Sequence, residues 1–418
     1  MKKVLSLITL LGLSAFVYAA EATASFEFYK QQANALPIEN TRQNRNYAAS
    51  IAQNLDTWIW QNAEHASVQD ALLLQAGLYL KARKNADALV TLFRLKKLFP
   101  QTDAAALAPM FDEATASLEK NKAQTAAALF AVHTTTTSAD RASLEAEALY
   151  ALSKLSGKDF YAPAAKAFEN FFIRFPQYKE SDKIELLYGD LHRANGNYLA
   201  AILQYKKAGE LYPDTPYKAA SIRLMGDIYA DNLKDTSSAL AQYTRVLRDF
   251  EGSSETGVVY KHMAILDENN KQYESALINY DKAIELLGTA DSAYEAYHGK
   301  ADVYHKTKEY AQAYDTLLKT AGIFAKNEKK HTDTLIKAAE IAQRKMRDDA
   351  KYTTALEKAL FAYPQADKAA DIMFDLAYSY EKQGKTAQAK EMYKKLIIAF
   401  PTHRLASRAQ GRIAKLEK

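Results

Sequence analysis

Three polar side chains share one face of a predicted helix and could bring imidazole and carboxylate groups together. His298, Asp302 and His305 are spaced i, i+4 and i+7, which places them on the same side of a helix. Both groups are common ligands of zinc. The two histidines are ~10 Å apart along the helix axis, however, so Asp302 could share an ion with only one of them. We therefore expect a solvated or partner-facing patch and no metal site.

The motifs that carry common enzymatic reactions are missing from the sequence. It has no glycine-rich phosphate-binding loop, no nucleophile-elbow serine and no HExxH metal motif. Ser-x-x-Lys occurs twice, from Ser117 and from Ser379, without the partner motifs that a catalytic serine of this type needs. The chain contains no cysteine, which excludes thiol nucleophiles and most structural zinc sites. The sequence predicts no enzyme and no cofactor.

The helices that position such side chains follow from a repeat in the sequence. One alanine recurs at separations of 76, 37, 38, 37, 37 and 76 residues, and the two long gaps are doubled periods. A bulky side chain follows each alanine four residues later, so both lie on one face of a helix. The pairs are Ala88 and Leu92, Ala164 and Phe168, Ala201 and Tyr205, Ala239 and Tyr243, Ala276 and Tyr280, Ala313 and Leu317, and Ala389 and Tyr393.

A preceding helix completes each unit. It carries a small residue and then, often, tyrosine, as at Gly226 and Tyr229. A short polar turn, as at Gly384, joins the two helices. The second helix often ends at an aromatic-proline pair such as Phe400-Pro401, because proline disfavours helix in the residue before it and cannot extend one.

Small residue, tyrosine, polar turn, Ala-x3-aromatic and proline, in that order, resemble the tetratricopeptide repeat. The resemblance covers about Gln69 to Thr402. It implies an all-α fold, a right-handed superhelical solenoid of about nine antiparallel helix pairs with capping helices at both ends. The units near residues 107 and 333 are degenerate, and the first of them contains the poor helix segment His133 to Thr137. Units are expected near residues 69, 107, 145, 182, 219, 257, 294, 333 and 370.

The resemblance also implies a binding groove lined by the first helix of each pair. In such repeats the side chains that face the groove include the one just past the small site and the one a turn earlier. At these positions the sequence has side chains of mixed charge and aromatic rings, which indicates a protein or peptide partner. The alternative is that an acidic side chain near a basic one forms only a weak surface ion pair. The residues assigned to the groove are Asp190, Arg223, Asp227, Lys261, His298, Asp302, Phe374 and Tyr378.

Aromatic-proline helix ends followed by small-residue-rich helices, as at Tyr212-Pro213, are similar to those of exported envelope repeat proteins. At the level of single repeats the chain resembles the outer-membrane assembly lipoprotein and the periplasmic coordinator of the Tol-Pal system. This resemblance implies a periplasmic scaffold or adaptor that mediates protein–protein interactions in outer-membrane or cell-wall machinery. The 27 tyrosines leave a peptidoglycan- or glycan-recognising module as the alternative.

An N-terminal helical segment is expected over residues 20–68, before the repeats, because a terminal helix pair has one unpacked face that needs a cap. One long helix is predicted from about Thr41 to Asn62. Trp58 and Trp60 lie two residues apart within it and so point to different sides. We expect core packing for both, with at least one exposed or docked on a neighbouring element as the alternative.

A C-terminal capping helix is expected over residues 403–418, after repeats that extend over residues 69–402. Its basic residues suit a helix C-terminus. Binding of a polyanion is the alternative, but a charged stripe is usually a solvated face. The apolar stripe consists of Leu405, Ala409, Ile413 and Leu416.

The first residues are typical of a secretory signal peptide. Two lysines at positions 2 and 3 precede an apolar stretch from Val4 to Val17 and a small-residue cleavage site at Ala19. The stretch is shorter than the ~20 residues of a spanning helix, and no later stretch is apolar enough to span a bilayer. We therefore expect residues 1–19 to be removed and the mature chain to be periplasmic. Without cysteine it cannot carry the lipid of a lipoprotein.

The charge balance argues against nucleic acid as the partner. Lys and Arg number 55 against 50 Asp and Glu, and removal of the two lysines in the signal peptide leaves 53 against 50, a net charge of about +3. A chain of this length with only 14 glycines and 9 prolines also has few breakers, which favours helices.

Secretion in a Gram-negative host should shorten the chain at its N-terminus. We expect cleavage after Ala19 or Ala22, because small residues precede both positions. Intact-mass measurement and N-terminal sequencing of the periplasmic fraction check this. Leu10→Arg, which places a charge in the apolar stretch, is the control and should leave the uncleaved chain in the cytoplasm. Recovery of the uncleaved wild-type chain from the membrane fraction would contradict the prediction.

Overall fold

The all-α fold expected from the sequence is confirmed. Over the described residues the chain forms α-helices and two short π-helical segments, and no strand. No helix among them is both long and apolar enough to cross a membrane. The expected signal peptide, residues 1–19, and the segment His133 to Thr137 lie outside the described residues. The computed structural model describes residues 25–131, 140–155, 157–212 and 214–417.

The chain divides into two compact units, Met1–Ile228 and Tyr229–Lys418, each with its own hydrophobic core. A π-helical segment, Ile228–Asn232, marks the boundary, and another, Ala342–Met346, lies in unit 2. The helices of unit 1 are α1 (Phe26–Asn34), α2 (Arg42–Gln61), α3 (Val68–Lys81), α4 (Asn85–Leu98), α5 (Ala104–Thr115), α6 (Lys120–Ala131), α7 (Arg141–Ser153), α8 (Lys158–Arg174), α9 (Ser181–Ala194), α10 (Tyr198–Glu210) and α11 (Lys218–Asp227). Those of unit 2 are α12 (Thr236–Asp249), α13 (Ser254–Asn269), α14 (Tyr273–Leu287), α15 (Asp291–Lys306), α16 (Tyr310–Ile323), α17 (Glu328–Ile341), α18 (Asp349–Ala362), α19 (Ala369–Lys382), α20 (Thr386–Ala399) and α21 (Arg404–Leu416).

Apart from α5 and α6, consecutive helices within each unit pack against each other, as the predicted array of helix pairs requires. In unit 2 these contacts run from α12 to α21 without interruption, and the first helices α13 and α15 also touch. The pair α17–α18, in the degenerate unit near residue 333, packs like its neighbours. At the chain ends, α1 and α2 pack on α3, and α21 packs on α19 and α20. The predicted fold class, helix pairs with a cap at each end, is therefore confirmed.

The long helix predicted from about Thr41 to Asn62 is confirmed as α2. Thr41 caps its N-terminus, because the Thr41 hydroxyl accepts a hydrogen bond from the Asn44 backbone N–H at 3.1 Å. Trp58 and Trp60 are both buried, as expected for core packing. The indole of Trp58 stacks on Phe26 of α1 with ring centroids 5.5 Å apart, so α1 covers one side of α2.

The turn between paired helices uses a left-handed residue. At two turns this residue is glycine, Gly196 with φ 77° and Gly384 with φ 71°. At five others it is a long basic residue, for which this conformation costs ~1 kcal/mol more than it does for glycine. Those residues are Arg83, Lys234, Lys271, Lys308 and Arg347. The turn geometry is thus common to the repeats even where glycine is absent.

A buried tyrosine of the second helix packs against the first helix of its pair and forms a hydrogen bond to it. Tyr205 of α10 is fully buried, and its hydroxyl donates to the Asp190 carboxylate of α9 at 2.8 Å. Tyr280 bonds Glu268 of its own pair in the same way, also at 2.8 Å. The ring of Tyr205 fits because Gly189 faces it: a Cβ at position 189 would lie 2.4 Å from the ring. The small residue of the first helix and the tyrosine of the second therefore form one packing contact, because the ring occupies the space that a larger side chain would fill.

The degenerate unit near residue 107 does not pack as a regular repeat. Helix α4 contacts α7 and α8 directly, while α5 contacts α3 and α4, and α6 contacts α7. Three aromatic rings join this part of unit 1: Phe111 of α5 and Phe130 of α6 stack 4.3 Å apart, and Phe93 of α4 packs edge-on against both. The pair α5–α6 therefore lies beside the array instead of between α4 and α7.

Gly189→Ala should destabilise the chain by about 1–3 kcal/mol, because the new methyl group overlaps the buried Tyr205 ring. This loss exceeds the gain of up to ~1 kcal/mol that alanine normally brings to a helix interior. Gly411→Ala is the matched control, since no atom lies within 4 Å of a Cβ at that helical position. Urea unfolding followed by circular dichroism measures both. Equal stabilisation by the two substitutions would contradict the packing described for Gly189.

Candidate functional site

A cavity of about 1100 Å³ lies in unit 1. Its wall is formed by α2, α3, α4, α7 and α8, by the end of α5, by the start of α6 and by the loop between them. The cavity therefore adjoins the irregular unit, where α7 and α8 stack directly on α4 and α5–α6 is set aside. Side chains of the lining that the following paragraphs discuss are Asp56, Trp60, Gln75, Tyr79, Arg94 and Glu145.

A buried arginine on α4 links three helices at the cavity wall. The Arg94 guanidinium forms two parallel hydrogen bonds to Glu145 of α7, at 3.0 and 3.1 Å, and a third to Asp56 of α2 at 3.3 Å. Arg94 and Glu145 are only 5% and 3% exposed. Burial alone would lower the pKa of Arg94, but the two carboxylates outweigh it and raise that pKa. Arg94 therefore stays charged.

Trp60 of α2 lies under two guanidinium groups. The Cζ atom of Arg94 is 4.2 Å from the ring centroid and that of Arg174 is 5.4 Å away, within the range of cation–π attraction. The ring is 8% exposed and packs edge-on against Phe175. Its indole N–H is buried and has no hydrogen-bond partner in the described structure. The indole is thus held in place with its one polar atom unsatisfied.

Gln75 of α3 is also buried in the wall. Its amide nitrogen donates to the backbone carbonyl of Ala52 at 3.0 Å, and its side chain also interacts with Tyr79 one turn further along α3. Tyr79 is buried too, and burial followed by the nearby Asp56 charge raises its pKa. At the rim, burial raises the pKa of Asp87 against the opposing effect of Lys84. The wall therefore combines aromatic rings with charges of both signs.

Three of the predicted groove residues lie in unit 1, outside the cavity lining. Asp190 accepts the hydrogen bond from Tyr205 and lies 3.5 Å from the ammonium group of Lys154. Arg223 and Asp227 form an ion pair within α11, and Asp227 is buried. All three therefore have partners inside the unit.

Two predicted groove residues of unit 2 form ion pairs with the next first helix. The Lys261 ammonium group lies 2.6 Å from the Glu295 carboxylate, and the Lys337 ammonium group lies 2.7 Å from the Asp302 carboxylate. The partners are one repeat apart along the chain. Because Glu295 and Asp302 are well exposed, each pair contributes at most about 1 kcal/mol.

His298 also reaches the next first helix and stays neutral. Its Nε2 atom lies 3.0 Å from the Thr334 hydroxyl oxygen, and its ring lies 4.4 Å from the ring of Tyr294. Burial, reinforced by the positive charge of Lys337, lowers the pKa of His298 to about 4. Within the ranges that the structure describes, no group of three or more acidic or histidine side chains could hold a metal ion.

Phe374 and Tyr378, the two aromatic groove residues, each have an arginine of the capping helix α21 over the ring. The Arg408 guanidinium is 4.8 Å from the Phe374 ring centroid, and that of Arg412 is 5.1 Å from the ring centroid of Tyr378. Phe374 is buried, whereas Tyr378 is 38% exposed. The predicted residues of unit 2 thus engage neighbouring helices, and whether any of them binds a partner stays a prediction.

The sequence did not predict the residues that line the cavity. Arg94, Glu145 and Gln75 lie at positions that differ from the signature pattern, and their partners are 23 to 51 residues away. Two signals pointed to this part of the chain: the paired tryptophans before the repeats and the weak repeat near residue 107. Neither signal gives the contact between α4 and α7 on which the cavity depends.

A family comparison supports the repeat type in one part of unit 2. Residues 371–403, which include all of α20 and most of α19, match the family described as tetratricopeptide repeat. Solved structures that match the chain include the C-terminal part of a TPR repeat-containing protein from Cytophaga hutchinsonii, at 18% identity and TM-score 0.44, covering 63% of this chain and 97% of that one. A tetratricopeptide repeat protein from Parabacteroides merdae has 14% identity and TM-score 0.37, with coverages of 66% and 99%. PilW, a type IV pilus biogenesis factor, has 15% identity and TM-score 0.34, with coverages of 56% and 100%. Curated proteins include no match to the chain.

Arg94→Met should cost up to about 3–5 kcal/mol of folding free energy, because it removes both hydrogen bonds of the Arg94 guanidinium to the buried Glu145 carboxylate and leaves that carboxylate only the longer ion pair with Arg141 at 3.6 Å. Adding Glu145→Gln should restore part of the loss. Lys166→Met is the matched control: Lys166 lies 4.0 Å from the same Asp56 but is 58% exposed, so its removal should change stability by less than about 0.5 kcal/mol. Urea midpoints measure all three. An Arg94→Met midpoint equal to that of wild type would contradict the role given to this ion pair.

Proposed function

We propose that the chain is an exported scaffold of the bacterial cell envelope that holds a protein partner by binding one of its segments in the unit 1 cavity. The cavity is the observation that carries this proposal. Its volume of about 1100 Å³ is slightly above the range of about 300–1000 Å³ for ligand pockets, and its wall mixes aromatic and charged side chains. Helical-repeat proteins of this type generally mediate protein–protein interactions, and no catalytic role is proposed.

The contacts of the predicted groove residues favour the cavity over the groove as the main binding site. Lys261 and Asp302 pair with Glu295 and Lys337 of neighbouring helices. A partner bound to these groups would have to replace interactions that already exist, whereas the cavity already provides a volume of about 1100 Å³. Groove residues remain candidates for weaker, additional contacts.

The tyrosines provide less support for glycan recognition than their number suggested. Tyr205, Tyr243, Tyr280 and Tyr393 are fully buried in the repeat packing. A sugar ring stacks on an open aromatic face, and buried rings offer none. Export rests on the N-terminal sequence alone, with its two lysines, apolar stretch and small residues at the cleavage site.

A photoreactive residue at the cavity should capture the partner in living cells. Benzoylphenylalanine in place of Ala162, an exposed residue of the cavity lining on α8, should give defined adducts with one or a few envelope proteins. The same probe at Ile173, which is 74% exposed on the same helix but outside the lining, is the matched control. Adding Ala86→Trp, which fills part of the cavity, should reduce the adducts from position 162 several-fold.

Equal adducts from both probe positions, or adducts unaffected by Ala86→Trp, would count against the cavity as the binding site. Sedimentation of the purified chain with cell-wall material covers the alternative. Binding to isolated glycan that Ala86→Trp abolishes would favour the glycan-recognising module over the scaffold.

A further inference from the structure

Two large apolar side chains are almost fully exposed near the C-terminal end of unit 2. Phe361 of α18 is 93% exposed and Ile398 of α20 is 80% exposed. Folded proteins commonly expose single apolar side chains, so either residue alone would need no explanation. The two lie at corresponding positions of neighbouring repeats, however, and this regularity makes them parts of one surface.

The helices that carry these side chains have the same register. Both are 14 residues long and start 37 residues apart, so Phe361 and Ile398 are each the last residue but one of their helix. Because neighbouring repeats of a solenoid differ by only a small rotation, the exposed faces of α18 and α20 project in similar directions. The buried positions that correspond are Tyr352, Leu356 and Ala359 in α18 and Ala389, Tyr393 and Leu396 in α20.

Exposed lysines flank both apolar side chains. Lys358 and Lys395 each lie three residues, about one helical turn, before the apolar residue, and Lys394 lies four residues before Ile398. Lys395 forms an ion pair with Glu391 at 2.8 Å. Lys358 and Lys394 are exposed and form no ion pair with any residue that the structure describes. The surface therefore combines protruding apolar groups with available positive charge.

This combination is specific to the last two helix pairs of unit 2. Positive charge is concentrated at the same end, since α20 and α21 together contain seven Lys and Arg residues against one Glu. Arg404 and Arg412 already pair with carboxylates of α19, which leaves the lysines of α20 as available charge. At the position that corresponds to Phe361, the second helices α12, α14 and α16 carry the exposed residues Arg248, Glu285 and Gly322.

We propose that this surface docks on an anionic phospholipid bilayer. We call it the terminal patch, and it consists of Phe361, Ile398, Lys358, Lys394 and Lys395. The two apolar side chains enter the boundary between the headgroups and the acyl chains, and the lysine ammonium groups contact headgroup phosphates. The proposal adds a membrane contact in unit 2 and is independent of the role proposed for the unit 1 cavity.

The charge of the terminal patch favours a bilayer over a second copy of the chain. A two-fold symmetric contact brings the same surface of both copies together, so the lysines would face lysines, and such like-charge contacts are unfavourable. An anionic bilayer supplies the opposite charge. It also receives side chains that protrude from the protein without needing a preformed pocket for each of them.

Flotation of the full chain with lipid vesicles provides the first test. The chain should float with vesicles that contain phosphatidylglycerol and not with pure phosphatidylcholine vesicles, and binding should weaken as the salt concentration rises. Phe361→Glu should weaken binding at least about 10-fold, because an inserted aromatic side chain is lost. Lys358→Gln should weaken it about 5-fold. Both side chains are exposed, so the variants should keep the circular dichroism spectrum of wild type.

Ile173→Glu is the matched control for Phe361→Glu. Ile173 is 74% exposed and, like Phe361, lies two residues before an aromatic-proline pair. It belongs to unit 1, and Asn170 occupies the position of the flanking lysine. Its replacement should therefore leave vesicle binding unchanged.

An environment-sensitive dye provides a second measurement that does not depend on loss of binding. The chain has no cysteine, so Ile398→Cys offers a single attachment site. Addition of phosphatidylglycerol vesicles should shift the dye emission to the blue, and lipids with brominated acyl chains should quench it. The same dye at Arg248→Cys, the corresponding position of α12, should not respond.

The proposal is overturned if the chain does not float with phosphatidylglycerol vesicles, if Phe361→Glu and Ile173→Glu lose the same affinity, or if the dye at position 398 does not respond. A wild-type dimer that Phe361→Glu dissociates would assign the terminal patch to a second copy. Binding of soluble polyphosphate without any vesicle binding would assign its charge to a polyanion. Each of these results leaves the proposal for the unit 1 cavity unaffected.

Discussion

The contact between a buried tyrosine and a small or acidic position of the neighbouring helix is the interaction on which the helix pairs depend. Tyr205 illustrates it: the ring fills the space that Gly189 leaves, and the hydroxyl finds its acceptor in Asp190. A buried tyrosine needs both, since its ring must be packed and its hydroxyl must be hydrogen-bonded. Tyr280 and Tyr393 repeat the hydroxyl bond to a carboxylate of their own pair. The ring of Tyr280 packs against Gly299 of the next first helix, so the same tyrosine both closes its pair and helps to stack the following pair on it.

Unit 1 departs from this arrangement at the position where its cavity forms. The pair α5–α6 is joined to α4 by phenylalanine rings, and α4 reaches α7 through the buried ion pair of Arg94 and Glu145. A buried ion pair demands complete hydrogen bonding, so it fixes the geometry of α2, α4 and α7 tightly. The same three helices line the cavity through Asp56, Arg94 and Glu145. The irregular repeat and the candidate site therefore involve the same contact between α4 and α7.

The fold could be predicted from the sequence because it depends on short-range regularities. Alanines one period apart are buried, as at Ala201, Ala239 and Ala276, and the bulky residue four positions on lies on the same helix face. The start of α2 could be predicted to within one residue because Thr41 is a good N-cap. The cavity could not be predicted, since Arg94 and Glu145 are 51 residues apart and nothing in either local sequence indicates that α4 packs on α7.

In unit 2, ion pairs connect first helices that are one repeat apart along the chain. Lys261 holds Glu295 on the next first helix, and further along Asp302 holds Lys337. A molecule that competes for the Lys261 ammonium group releases Glu295 and so loosens the hold of α13 on α15 without touching α15 itself. Exposed ion pairs are screened by salt, so this part of the contact between neighbouring first helices weakens as the salt concentration rises.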